Sequence, residues 1–352
     1  MHMADALLSP AVGGSMWAAS AGLLAYSSSR LKTSLDDRRV PLMGVLAAFV
    51  FAAQMINFSI PGTGSSGHLG GGLILAVLLG PHAAFLAIAS VLAVQALFFA
   101  DGGLLALGCN IFNLGFFPCF LCYPFIFKPL AGETPSKGRL MTASIVAAVA
   151  GLQMGAFGVV LETVSSGISE LPFSSFVLLM QPIHLAIGLV EGVVTATLLV
   201  FLHKARPELF GAVQPDAEPR SLRPIIIGLA LAAMVIGGGL SWFAASDPDG
   251  LEWSMGKVSG KEELAAPENG IHGTLDSLQK RIAFLPDYNF KEPAESAQTE
   301  AAATEAKPEQ KAEAWPNVNA GTTLSGLLGG FMTLCLAGVA ALVLRRRTTG
   351  KA

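Results

Sequence analysis

Long apolar runs separated by short polar breaks dominate the chain. Such runs cover residues 10–29, 41–58, 81–100, 104–127, 140–163 and 173–201, and two more cover 224–245 and 324–344. Each is close to the roughly 20 residues a helix needs to cross a bilayer, so each is predicted to be a membrane-spanning helix. A further run, 69–79, has 11 residues. As a helix it would rise only about 16 Å, too little to cross unaided.

The polar breaks set the orientation, because Lys and Arg stay on the cytoplasmic side. Four cationic clusters stand out: Arg30, Lys32, Arg38 and Arg39; Lys128, Lys137 and Arg139; Lys204, Arg206, Arg220 and Arg223; Arg345, Arg346, Arg347 and Lys351. With all four inside, the N-terminus lies outside, the C-terminus in the cytoplasm, and the glycine-rich loop 62–72 outside. The chain must then cross an odd number of times between that loop and Lys128, so 69–79 counts as a crossing and the total is nine. So short a crossing requires protein or a water-filled cavity, rather than lipid, around it.

The expected fold class is all-α, a polytopic membrane helix bundle. Residues 1–204 form a seven-helix core, 205–223 a cytoplasmic linker and 224–245 a further span. An external segment, 246–320, follows, and 321–352 holds the last span with its basic tail. Within the external segment, 291–314 is rich in Ala, Glu, Pro, Lys and Gln and is expected to be disordered. The expected location is the plasma (inner) membrane.

Composition agrees. Of 352 residues, 52% are hydrophobic and 13% charged, against about 25% charged in soluble domains. The net charge of −3 says little by itself because the charges are segregated along the sequence, and nucleic acid is not an expected partner. Cys109, Cys119, Cys122 and Cys335 lie in apolar stretches and report no disulfide framework. No cationic leader precedes the first apolar run, so no cleaved signal is expected.

Candidate chemistry begins at Met1 and His2. An α-amine followed by histidine is a chelate: the amine nitrogen, the deprotonated His2 amide and His2 Nδ1 close two fused rings in one plane. That geometry suits Ni(II) or Cu(II) better than tetrahedral Zn(II). A fourth nitrogen would complete the square, and His68, in GTGSSGHLGGG, is the candidate. The bland alternative for His2 is a solvated chain end. Ser65 and Ser66 in the same loop are candidates for supporting contacts. So is Asn110, which, like Asn113, is otherwise read as interhelical glue. His184 and Glu191, seven apart on one helix, share a face near mid-membrane, where an ionisable group is a functional candidate; they satisfy each other or backbone carbonyls, or they support the loop. His82 falls on the far side and is structural. Cys119 and Cys122 form CxxC inside an apolar helix, where thiols behave as small hydrophobes. Small residues four apart, Gly44, Ala48 and Ala52, and again Ala18 and Gly22, allow close helix approach, either within the chain or to a separate subunit. GLEWSMGKV is no phosphate loop: Val258 stands where Ser or Thr must hold magnesium. Active uptake would therefore need an ATPase partner. No HExxH is present for a membrane protease, and a stand-alone channel or secondary transporter for divalent metal remains the rival function.

In MHM at the start, GSSGHLGGG around His68, LGPHAAF around His82, ALFFADGGLLALGCNIFNLG and HLAIGLVEG, the chain resembles the CbiM/NikM family, substrate-capture subunits of energy-coupling-factor cobalt/nickel importers. The resemblance covers about residues 1–204. It implies a square-planar site for Ni2+ or Co2+ as transported substrate, made by the Met1 amine, the His2 amide and imidazole, and His68. It also implies two partners, a transmembrane coupling subunit (NikQ/CbiQ-like) and cytoplasmic ATPases (NikO/CbiO-like), and a transport subunit that is not itself an enzyme. PDGLEW and FLPDYNF resemble a PDGLE-type (NikN/CbiN-like) extension fused to the core. Family members commonly continue MHI with an acidic residue and a glycine; this chain reads MHMADALLSP.

Overall fold

Ser9 starts the first long helix. Its hydroxyl accepts from the Val12 amide at 3.4 Å, and Pro10 takes the first helical position, where a missing N–H costs nothing. A computed structural model describes residues 2–35, 37, 39–206, 221–267, 269–291 and 315–345. In chain order the elements are α1 (Pro10–Ser34), α2 (Arg39–Gln54), the hairpin β1 (Phe58–Ile60) and β2 (Ser65–Gly67), α3 (Gly72–Leu79), α4 (Pro81–Phe98), α5 (Leu107–Ala131), α6 (Lys137–Ser166) and α7 (Phe173–Ala205). After the linker come α8 (Arg223–Gly238), α9 (Gly250–Ser259), α10 (Gly270–Ile282) and α11 (Ala320–Leu344). The protein is an all-α membrane bundle. Helices α4, α5, α6, α7 and α11 are long and apolar enough to cross a bilayer, and α2 and α8 are shorter apolar helices. The centre is filled by fully buried Phe51, Phe85, Phe99, Phe176, Met43 and Leu46.

Four of the apolar runs depart from the expected helices for a visible local reason. The run 41–58 leaves the helix at Gln54, and Phe58–Ile60 instead pairs antiparallel with Ser65–Gly67, Phe58 opposite Gly67. Gly62 and Gly64 make this possible by taking positive φ in the connecting turn. The run 69–79 is helical only from Gly72, because Gly71 sits at φ 76° against Val50. The run 104–127 becomes helical at Leu107 and continues to Ala131. Its middle, Phe112–Phe127, has π-type turns and contains Pro118 and Pro124, whose missing N–H groups cannot maintain α-helical bonding. The run 224–245 stops at Gly238 and tightens into a 3-10 turn, Leu240–Phe243, since consecutive glycines weaken a helix.

Residues 246–267 and 269–291 form a folded lobe: α9 and α10 pack over the end of the bundle that carries residues 2–9, the hairpin and the α4–α5 connection. Residues 292–314, where disorder is expected, and 207–220 of the linker lie outside the described residues. Helices α8 and α11 lie against α2. A Cβ on Gly44 would meet the Leu334 carbonyl at 3.0 Å, so this small-residue stripe serves packing within the chain. Gly22, by contrast, has nothing within 4 Å of its Cβ position.

Candidate metal centre

The chain's first residues are strapped down. Asn110 brackets the Met3 backbone: its Oδ1 accepts from Met3 N at 2.8 Å and its Nδ2 donates to Met3 O at 3.3 Å, while Gly103 N donates to the same carbonyl at 2.9 Å. Asp5 accepts from the Ala106 amide at 2.9 Å, and His272 of α10 lies 2.8 Å from the Leu8 carbonyl. Met3, Leu7 and Leu8 are buried. Asn110 thus holds the main chain next to His2 rather than the His68 ring.

This strap lays the His2 imidazole on that of His68, with ring centroids 5.0 Å apart and planes 7° from parallel. His2 Nδ1 lies 3.0 Å from Asp101 Oδ1, and its Nε2 is buried without a hydrogen-bond partner among the described residues. Tyr288, from the lobe, donates to the other Asp101 oxygen and stacks on Phe99 at 5.0 Å. Burial raises the Asp101 carboxyl, but His2 beside it and the hydrogen bonds from His2 and Tyr288 outweigh that and hold it well below the usual range. Burial, reinforced by Asp101, pushes the Tyr288 phenol well above its usual value, so it remains a donor.

The His68 loop is clamped from two sides. Glu191 accepts from the Gly70 amide at 2.7 Å and the Gly71 amide at 3.1 Å. Gln54 donates to the Gly70 carbonyl at 2.9 Å and itself accepts from Gln95 at 2.9 Å. His68 Nδ1 lies 3.1 Å from the Leu69 carbonyl, which makes Nδ1 the protonated nitrogen and leaves the lone pair on Nε2. Burial lowers the His68 imidazole from 6.5 to about 3, so at neutral pH it is uncharged, the state a metal ligand requires.

Ser65 and Ser66 turn toward the lobe. Ser66 Oγ donates to the Asp247 carbonyl at 2.7 Å, Ser66 N to the Pro248 carbonyl at 2.8 Å, and Ser65 Oγ lies 3.4 Å from the latter. Residues 248–249 thereby lie along the hairpin, with a parallel bridge from Ser66 to Asp249. Each letter of PDGLE then has a local reason. Pro248 offers its carbonyl to the hairpin. Asp249 caps α9 by accepting from Leu251 N and Glu252 N at 2.7 and 3.0 Å, and Glu252 returns the bond to Asp249 N at 3.0 Å. Gly250 touches α7 so closely that a Cβ would lie 2.6 Å from Ile183, and Leu251 is buried. Trp253 Nε1 completes the attachment by donating to Thr63 O at 3.0 Å.

Above the two imidazoles opens a vestibule of about 380 Å3, walled by core and lobe together. Asp101, Asp247, Asp249, Glu252 and Asp287 line it, with no Lys or Arg among the described residues around it. Such a cleft attracts cations. Asp101, Asp249 and Tyr288 are the site residues that sequence reasoning missed. DGLE is legible as a capping box, but the Asp101–Tyr288 contact spans 187 positions and has no local signature. The described residues contain no group of three or more His, Cys, Asp or Glu side chains that could hold an ion. Met1 lies outside the described residues.

A family model described as the cobalt uptake substrate-specific transmembrane region matches residues 2–209, and one for the PDGLE domain matches residues 223–346. A putative fused nickel transport protein, NikMN, of Archaeoglobus fulgidus is 34% identical over 82% of this chain and 88% of its own length. The fused nickel transport protein NikMN of Rhodobacter capsulatus is 32% identical with the same coverage of both chains. The cobalt transport protein CbiM of Geobacter sulfurreducens is 32% identical over 68% of this chain and 72% of its own. A crystal structure of a truncated transition metal transporter, 29% identical, overlays with a TM-score of 0.52 and covers 58% of this chain and 99% of that one. These matches define a metal-transport protein of the membrane. The chain belongs to the CbiM family of substrate-specific transmembrane components, with a PDGLE domain fused behind it.

Proposed function

We propose that the protein is the substrate-capture component of an ATP-driven energy-coupling-factor importer, taking Ni2+, or Co2+, from outside and delivering it to the cytoplasm. The observation that carries this reading is the stacking of His2 on His68 at 5.0 Å beneath an acid-lined vestibule. The ion would be held by the Met1 amine, the His2 amide and imidazole, and His68. Binding through His2 Nδ1 exchanges its contact with Asp101 for the ion. Four nitrogens in a plane favour nickel; of the two fused relatives named above, that of Rhodobacter capsulatus is a nickel transport protein and that of Archaeoglobus fulgidus a putative one. A NikQ/CbiQ-like coupling subunit and NikO/CbiO-like ATPases would supply the energy. The open Ala18 and Gly22 face of α1 suits close approach by another membrane helix.

The test is calorimetric titration of the purified full chain with nickel and cobalt. Intact protein is expected to bind one ion per chain, with nickel tighter, while His2→Ala and His68→Ala lose binding. One extra residue ahead of Met1 should also abolish it, because the amine moves out of the chelate. Unaltered affinity in the extended protein would overturn the assignment.

A further inference from the structure

One hydroxyl of the lobe reaches both halves of the capture site. Tyr288, in the stretch that follows α10, donates to Asp101, whose other oxygen lies 3.0 Å from His2 Nδ1. The same hydroxyl accepts from the Gln95 side chain of α4. Gln95 Nε2 also donates to Gln54 Oε1 at 2.9 Å, and Gln54 Nε2 donates to the Gly70 carbonyl at 2.9 Å, just beyond His68. Asp101, Tyr288, Gln95 and Gln54 therefore form one line of hydrogen bonds from the first imidazole to the loop of the second. Gln54 and Gln95 are buried, where leaving such a group unpaired costs about 1–3 kcal/mol.

The main chain is bent to make this meeting. Ala100, next to Asp101, has φ 56°, and Asp287 and Tyr288 have φ 49° and 60°. In this left-handed region a residue with a side chain is destabilised by roughly 1–2 kcal/mol, and such conformations persist where the surroundings dictate them, often at functional sites. Here Asp287 N donates to the Phe99 carbonyl at 2.8 Å and Asp101 N to the Gln95 carbonyl at 3.2 Å. The lobe is seated at this point without help from the hydroxyl. Gln279 of α10 donates to the Ala96 and Gly102 carbonyls at 2.8 Å each, and the Tyr288 ring stacks on Phe99 and lies 6.3 Å from Phe51.

We infer that Tyr288 is a positioning residue for metal capture. Through Asp101 it sets the His2 ring, and through Gln95 and Gln54 it sets the loop that carries His68. Two ligands from separate segments must meet one ion to within about 0.5 Å, and a shared anchor fixes them relative to each other before the ion arrives. The inference rests on the proposed capture function for the ion, whereas the linkage belongs to the metal-free protein.

Tyr288→Phe removes the hydroxyl and keeps the ring, and two measurements on the full chain test it. In the metal-free protein, amide exchange at Gly70 and Gly71 should quicken about fivefold or more while exchange across 250–259 is unchanged, which shows that the lobe is still seated. Titrated with NiCl2, the variant should bind about tenfold more weakly. Gln54 does not touch Tyr288 except through Gln95, so Tyr288→Phe combined with Gln54→Leu should lose less affinity than the product of the two single losses. Unchanged exchange at Gly70 and Gly71, or single losses that simply multiply, overturns the inference. If exchange across 250–259 also quickens, Gln95→Leu cuts the same line from inside the core, and unchanged loop exchange in that variant overturns the inference too. Quickened loop exchange in Tyr288→Phe, with no nickel bound even by the intact chain, would support the linkage and overturn the capture assignment alone.

Discussion

Glu191 shows how one side chain fixes a loop far from it in the chain. Its carboxylate accepts from two successive amides, Gly70 and Gly71, and so fixes the backbone just beyond His68. A glutamine there can accept but cannot match a charged acceptor for both amides. Glu191→Gln is expected to lower nickel affinity about tenfold, the lower end of what loss of an outer partner costs a metal site; the calorimetric titration above measures it. His68 gives a pH dependence of definite sign. Its folded value is about 3 against an ordinary 6.5, so below pH 6.5 the unfolded chain takes up a proton that the folded one refuses. Stability therefore falls as pH drops from about 6.5 toward 3, by up to about 1.4 kcal/mol per pH unit. Melting midpoints of the metal-free protein between pH 7 and 5 should decline more steeply for wild type than for His68→Gln.

Among the elements, α9 depends most on a single residue. Asp249 caps it while its backbone lies along the hairpin. Asp249→Ala should cost about 1 kcal/mol and Asp249→Asn much less, since asparagine caps equally well; amide exchange across 250–259 should quicken in the first and not the second. Legibility in the sequence follows the same division between local and distant causes. The long helices were legible because twenty apolar residues in a row have one reading, and Ser9 with Pro10 marks a start. The hairpin was not, because three-residue strands such as Phe58–Ile60 carry no period. His2 and His68 were legible from the chemistry of an amine beside an imidazole and a glycine-rich loop. Asp101 and Tyr288 were hidden, because each acquires its role only from a partner far along the chain. Ser65 and Ser66 stand in the same loop as His68, and both hydrogen-bond to the lobe.

For the molecule as a whole, the lobe changes what the core presents to solvent. Four of the five carboxylates around the vestibule, Asp247, Asp249, Glu252 and Asp287, come from it. Neutralising the two that neither cap α9 nor touch His2, in Asp247→Asn with Asp287→Asn, should slow nickel association several-fold at low salt, and the difference should shrink as ions screen the cleft. Stopped-flow association rates at low and high salt check this; a difference independent of salt would point to altered shape rather than charge.

The walls of that vestibule are drawn from residue 2, from residues 54–57 and 68, from residue 101, and from residues 241–252, 287–288 and 315–322. Synthesis proceeds from the first of these to the last. A ribosome that has delivered the core alone has therefore made a half-open bowl, whose wall is completed only when residues 241–252, 287–288 and 315–322 settle onto the part made first.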